Sequence, residues 1–196
     1  MNGERFKMKN LEDILMKKPI FLTGNKNKLA EAREILPFAF DNKNLDLDEI
    51  QSIDGRKVIG HKLDEAYSKL KRPVFVDDSA LHIDSMNGFP GALYKFLDKA
   101  AGLEGICKMV TALGKDRNAQ AVTHIGYFDG KTKKFFEGTI KGTISKTPRS
   151  GSGFGFDYIF IPKGSKKAYS QIPIEEKNKI SMRVKALNKF AKYLIQ

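Results

Sequence analysis

Val74-Phe75-Val76-Asp77-Asp78-Ser79 carries an apolar, strand-type triplet directly into two carboxylates and a hydroxyl. It opens a stretch, Val74 to Tyr94, of 21 residues without Lys or Arg in a chain of net charge +12. An apolar run ending in carboxylates suits a hard-cation site at a strand end. Mg²⁺ takes one or two carboxylates and completes its octahedron with water and phosphate oxygens. Working outward, Pro19-Ile20-Phe21-Leu22-Thr23 reads as a first strand. Lys26–Leu36 reads as a helix, with Leu29, Ala32 and Leu36 at helical spacing and Pro37 ending it. Lys57–Lys71 is a second helix, buried through Val58, Ile59, Leu63, Ala66 and Leu70, and Pro73 starts the acidic strand, expected to end at Asp78. Gly91–Leu113 reads as two short helices broken near Gly102. Ala119–Phe128 and Lys134–Ile144 read as a hairpin turned through Asp129-Gly130. A Gly/Ser-rich loop, Ser150–Gly155, leads to a short strand, Tyr158–Ile161, and one closing helix from about Ile180 to Ile195. Strands alternating with helices, then a β-rich insert, then a helix, predict an α/β protein with a mixed sheet.

With 196 residues, 41% hydrophobic and 30% charged, the chain can bury one substantial core. No apolar run approaches the roughly 20 residues that a membrane-spanning helix needs. Residues 1–18 mix Glu4, Arg5, Lys7, Glu12 and Asp13 and lack the apolar centre of a signal peptide. They read as an N-terminal appendage with a short amphipathic turn at Leu11–Leu15, ahead of a single domain over residues 19–196. The lone Cys107 allows no internal disulfide and fits a reducing, cytoplasmic compartment. Three scattered histidines, His61, His82 and His124, argue against zinc. Residues 1–100 carry 17 basic and 16 acidic side chains, and residues 101–196 carry 18 and 7. That one-sided excess favours an anionic partner, whether nucleic acid, nucleotide or acidic membrane.

Helix starts carry partial positive charge and favour Asp and Glu. Here the turn Thr23-Gly24-Asn25-Lys26-Asn27-Lys28 puts two lysines at the first helix start. Lys177 and Lys179 precede Ser181, a plausible N-cap for the closing helix, and Arg183 falls in its first turn. Cations stacked on a positive dipole end predict an anion there, and backbone N–H groups beside Lys or Arg make a phosphate cradle. Asp77 and Asp78 point to opposite faces if the strand continues through them, so one serves as ligand or base while the other orients a neighbour. A second acidic patch, Asp46 to Glu49, supplies a further carboxylate.

Together these segments resemble the inosine triphosphate pyrophosphatase family over Pro19 to Leu194. The resemblance rests on Thr23–Lys28, on Asp77-Asp78-Ser79-Ala80-Leu81 with Gly88-Phe89-Pro90-Gly91 and Tyr94-Lys95, on Phe154-Gly155-Phe156-Asp157, and on Glu176 to Arg183. It implies an elongated, twisted mixed sheet flanked by helices, with two lobes about a central cleft, in a homodimer. It also implies Mg²⁺-dependent hydrolysis of ITP, dITP or XTP to monophosphate and pyrophosphate. By position, Glu49 and Asp78 would hold the metal, Asp78 would serve as base with Asp77 assisting, and Lys28, Lys62 and Lys95 would grip phosphates. Ser79, Phe154, Gly155, Phe156, Asp157, Lys177 and Arg183 would hold the nucleotide, with Phe154 stacking on the purine and Arg183 or backbone N–H groups donating to O6. Members usually carry His where this chain has Met182, and many carry Pro where it has Tyr158, so Met182 removes a polar contact near the base. Two readings contrast with it: a related pyrophosphatase acting on modified pyrimidines or standard nucleotides, and a basic nucleic-acid-binding protein with Tyr127, Phe135 and Phe136 stacking on bases.

Overall fold

Two kinds of connection alternate along this chain, and together they produce one mixed sheet. The computed structural model describes residues 18–195, so the appendage and its turn at Leu11–Leu15 lie outside the described residues. Strands β1 (Ile20–Leu22), β2 (Asp41–Lys43) and β3 (Val74–Ile83) are linked through helices α1 (Lys26–Ile35) and α2 (Gly55–Leu70) and pair in parallel. Parallel neighbours need such crossovers, whereas antiparallel ones need only a turn. The turn follows in β5 (Asn118–Phe128) and β6 (Lys133–Ile144), where the Thr132 amide donates to Asp129 Oδ1 at 2.7 Å and Gly130 takes a φ of 94°. Two-residue β4 (Pro90–Gly91), helix α3 (Tyr94–Ala112), β7 (Phe160–Pro162), α4 (Ile174–Ile180) and α5 (Met182–Ile195) complete the fold. The strand order is β2-β1-β3-β5-β6-β7, with β4 beside β3.

The period-two alternation of β3 sorts its neighbours. Val74 and Val76 face Ile59, Leu63 and Ala66 of α2. Phe75 faces the other way and packs with Phe21, Ile125, Leu187 and Phe190 under α5. Phe75 stacks on Phe21 at 4.5 Å between centroids, and burial of such a ring contributes roughly 1.5–3 kcal/mol. A third cluster joins Leu81 and Ile83 to Ile106, Cys107 and Val110 of α3.

Three expectations change in the fold. The acidic strand does not end at Asp78: β5 pairs with it from Val74 to Ile83, while β1 pairs only with Val74–Val76. The carboxylates therefore sit mid-strand, at the point where the parallel neighbour stops and one edge opens. The closing helix is two helices, because Ser181 is extended (φ −68°, ψ 158°), and its hydroxyl then accepts from the Val184 amide at 3.2 Å to cap α5. Lys177 and Lys179 consequently occupy the last turn of α4, the negative dipole end, where cations need no bound anion. The last short strand is Phe160–Pro162, and Tyr158 ends a 3₁₀ turn instead.

Other features match. Gly102 breaks α3 with φ 66° and ψ 171°. At α1, Asn25 caps the helix by accepting from the Asn27 and Lys28 amides at 2.9 and 3.3 Å, and no acidic residue lies in its first turn. Tyr127 and Phe136 pack against Phe190, and Phe135 packs on the α2 side under the Arg56 guanidinium, so these rings are structural and are not free to stack on bases. No helix among the described residues is long and apolar enough to cross a membrane.

Candidate functional site

Where β1 stops and β3 continues, a cleft of about 810 Å³ opens beside the carboxylates. Its lining brings together Thr23, Gly24, Asn25 and Lys28 from the β1–α1 turn, Glu49, Lys62 from α2, and Asp77, Asp78 and Ser79 from β3. The far wall consists of Tyr94, Lys95 and Asp98 from the first half of α3, the segment Phe154–Asp157, and Met182. Lys26 and Asn27 do not line it. Lys26 is exposed, and Asn27 borders a separate cavity of about 260 Å³ behind Phe154, which Lys177 also lines.

Asp77 and Asp78 face opposite sides, as their alternation requires. Asp77 is 7% exposed and lies on the α5 side, where its carboxylate meets Arg183 Nε and Lys28 Nζ, each at 2.9 Å. Arg183 also donates to Glu31 Oε2 at 2.6 Å and to Ser79 Oγ at 3.1 Å. Lys177 donates to Asp157 Oδ2 at 2.6 Å and lies 3.9 Å from Glu31 Oε1. Asp157 in turn accepts from the Phe154 amide at 3.0 Å. Lys28, Lys177 and Arg183 thus face Asp77, Glu31 and Asp157, three cations against three carboxylates in one largely buried cluster. Burial alone would push the Asp77 carboxyl up, but the adjacent Lys28 and Arg183 charges and hydrogen bonds outweigh it and hold the group below its ordinary 3.8.

Arg183 and Lys177 are both drawn into this cluster, beside Phe154. Arg183 is 2% exposed and lies outside the cleft lining, with its guanidinium 5.7 Å from the Phe154 ring centroid. Lys177 Nζ lies 4.9 Å from the same centroid. Both charges are already neutralised by carboxylates, and Phe154 lines both the cleft and the cavity behind it. Arg183 therefore braces α1, β3 and α5 against one another, its guanidinium shared among Asp77, Glu31 and Ser79.

Asp78 faces α2 and differs from Asp77 in kind. Burial raises its pKa above the ordinary 3.8, and the nearby Lys28 and Lys62 charges offset this only in part. Asp78 is half-buried and, among the described residues, has no ion-pair partner, which leaves it a ready ligand or base. Glu49 lies close enough for its charge to act on Asp78, but Lys62 holds Glu49 at 2.7 Å and Lys95 at 3.5 Å. These lysines outweigh the cost of burying Glu49 and lower its pKa. The donor set, an unpaired Asp78 and a lysine-held Glu49, fits a hard, oxygen-preferring dication that takes few protein ligands. Among the described residues, the group of three ligand-type side chains close enough to share an ion is Asp48, His61 and Glu65. It excludes both expected ligands, and Glu65 is already bound by Lys69 at 2.6 Å.

Glu31 and the Asp98 carboxylate were not legible as site residues. Glu31 sits one helical turn from Lys28 on α1, a spacing that carries no chemical signal until α5 packs against it. Met182, 3% exposed, lies with Tyr94 and Phe156 in the apolar floor of the cleft.

A cleft that sets Lys28, Lys62 and Lys95 among carboxylates, at the place where a mixed sheet loses a parallel neighbour, marks an α/β protein with a ligand site at its sheet opening. The chain belongs to the Ham1 family, whose model matches residues 19–193. It is similar to the dITP/XTP pyrophosphatase of Saccharolobus solfataricus, 40% identical over 88% of this chain and 91% of that one. It is also similar to the inosine triphosphate pyrophosphatase of Kluyveromyces lactis, 40% identical over 91% of this chain and 97% of the other. Among solved structures, the Ham1 protein of Staphylococcus aureus superposes with a TM-score of 0.76 at 28% identity, covering 91% of this chain and 98% of that chain.

Proposed function

We propose that this chain hydrolyses nonstandard purine nucleoside triphosphates, ITP, dITP and XTP, to the monophosphate and pyrophosphate, and so cleanses the nucleotide pool. The observation that carries the reading is one cleft lined both by the Asn25-capped, lysine-bearing start of α1 and by the unpaired Asp78. The Asn27 and Lys28 amides are taken up by the Asn25 cap, so Lys28, Lys62 and Lys95, together with the positive dipole end of α1, supply the charge that holds the triphosphate there. Asp78 takes the proton of the attacking water. Such general-base help contributes about 10²–10⁴-fold. A bound Mg²⁺, held by Asp78 and Glu49, would neutralise charge on the phosphates. Asp77 assists by fixing Lys28, whose charge reaches Asp78, while Arg183 braces the opposite face. The base lies against Phe154–Asp157 and Met182, with Ser79 nearby.

Membership of the family and the names of its relatives support this reading. A single two-lobed domain from residue 19 onward, a homodimer and a cytoplasmic location belong to the same proposal, and light scattering checks the dimer. The test of function is pyrophosphate release with Mg²⁺ from ITP, XTP, dITP, GTP, ATP and dUTP. ITP, XTP and dITP are expected to lead. Preference for dUTP or for standard purines, or no release at all, overturns the reading.

A further inference from the structure

Tyr94 and Asp98 lie four residues apart on α3, both in the cleft wall, and neither belongs to the six-charge cluster. Tyr94 is 7% exposed, and among the described residues its hydroxyl makes no hydrogen bond of good geometry, the Asp98 carboxylate being the neighbour close enough to take one. A buried hydroxyl left unpaired is costly unless something completes it. Burial and the neighbouring Asp98 push the Tyr94 hydroxyl well above its ordinary range, so it stays a donor. Asp98 also stands apart from Glu49, Asp77 and Asp157, each of which has a lysine or arginine partner.

The position of the pair is informative. The Tyr94 ring meets Phe156 edge-on at 5.1 Å, within the aromatic wall. The next residue, Lys95, reaches Glu49 at 3.5 Å among the phosphate-side cations. In a nucleotide, the part that spans from an aromatic wall to a cationic end is the sugar. An unneutralised carboxylate repels phosphate and suits hydroxyl donors. The proposed substrates ITP and dITP both carry the 3′-hydroxyl, whereas only ITP carries the 2′-hydroxyl.

We propose that the Asp98 carboxylate accepts a hydrogen bond from the 3′-hydroxyl of the bound nucleotide, while Tyr94, a positioning residue, donates to that carboxylate and sets its angle. This rests on the nucleoside triphosphate reading above. The test compares kcat/KM for dITP and its 2′,3′-dideoxy analogue in wild type, Asp98→Asn, Asp98→Ala and Tyr94→Phe. Calorimetric binding of the corresponding monophosphates accompanies it, because that readout needs no turnover. Wild type is expected to favour dITP by about tenfold or more, the scale of one hydrogen bond to a charged acceptor. Asp98→Ala should bring that ratio to within about twofold, Asp98→Asn should retain part of it, and Tyr94→Phe should reduce it mainly through KM. Equal wild-type use of both nucleotides, or an equal loss on both in Asp98→Ala, overturns the inference, since a merely structural role lowers both alike. Absence of pyrophosphate release from dITP in wild type would instead strike the underlying function, while tighter binding of the 3′-hydroxyl monophosphate would still support the sugar contact.

Discussion

Removal of the Arg183 guanidinium is the sharpest probe of the buried charge cluster. In Arg183→Met, Asp77 and Glu31 lose bonds of 2.9 and 2.6 Å at a position only 2% exposed. Lys28 still lies 2.9 Å from Asp77, but the nearest remaining cation to Glu31 is Lys177 at 3.9 Å. Deleting one partner of a buried pair costs about 3–5 kcal/mol, because it leaves the other charge buried and uncompensated. For a chain of this size that corresponds to a fall in Tm of roughly 6–20 °C. The chain has no Trp, so urea unfolding is followed by far-ultraviolet circular dichroism and tyrosine fluorescence. A pH arm follows from Asp77. Its folded pKa lies below 3.8, so its stabilisation is complete above the unfolded value and is lost as pH falls through the folded one. Without Arg183 the folded pKa rises, and the acid loss of stability begins at higher pH. Adding Glu31→Gln to Arg183→Met should recover part of the loss, since it removes the stranded charge. A loss below about 1 kcal/mol with an unmoved acid limb would refute the view that this cluster braces the site.

Asp78→Asn should abolish pyrophosphate release while leaving the circular dichroism spectrum and urea midpoint near wild type; near-normal kcat would remove Asp78 from the base role. At Gly138→Ala, the added methyl would lie 1.9 Å from Met182 O and 2.7 Å from the Ala186 nitrogen. Both are backbone atoms that cannot swing away, so denaturation should show a loss of about 3 kcal/mol or more, and an unchanged midpoint would contradict the close packing of α5 on β6. Met182→His returns a polar group to the apolar floor beside Tyr94 and Phe156 and should raise the kcat/KM ratio of ITP over GTP by about tenfold. An unchanged ratio would show that this position does not read the base.

Much of the architecture was legible locally. Apolar spacing and Pro37 placed the helices between Lys26 and Leu70, Gly102 announced the break in α3, and Asp129-Gly130 marked the hairpin. These are short-range effects of dihedral preference and side-chain period. The acidic run and the lysine-bearing turn also pointed to one cleft, because strand and helix-start chemistry shows in a few adjacent residues.

Partnership was decided only by packing. Nothing near Asp78 in the chain indicates that β5 continues the strand to Ile83, since pairing depends on residues more than forty positions away. The alternation of Asp77 and Asp78 is written in the sequence, but their division of labour is not. It arises because α5 sets Arg183 against one face, while the other face leaves Asp78 half-buried and, among the described residues, without an ion-pair partner. Likewise, Lys177 and Arg183 read as cations awaiting a phosphate until Ser181 split the helix and Asp157, Glu31 and Asp77 closed around them. Charge type is a property of residues. Whether a charge remains free for a ligand depends on which opposite charges the fold buries beside it.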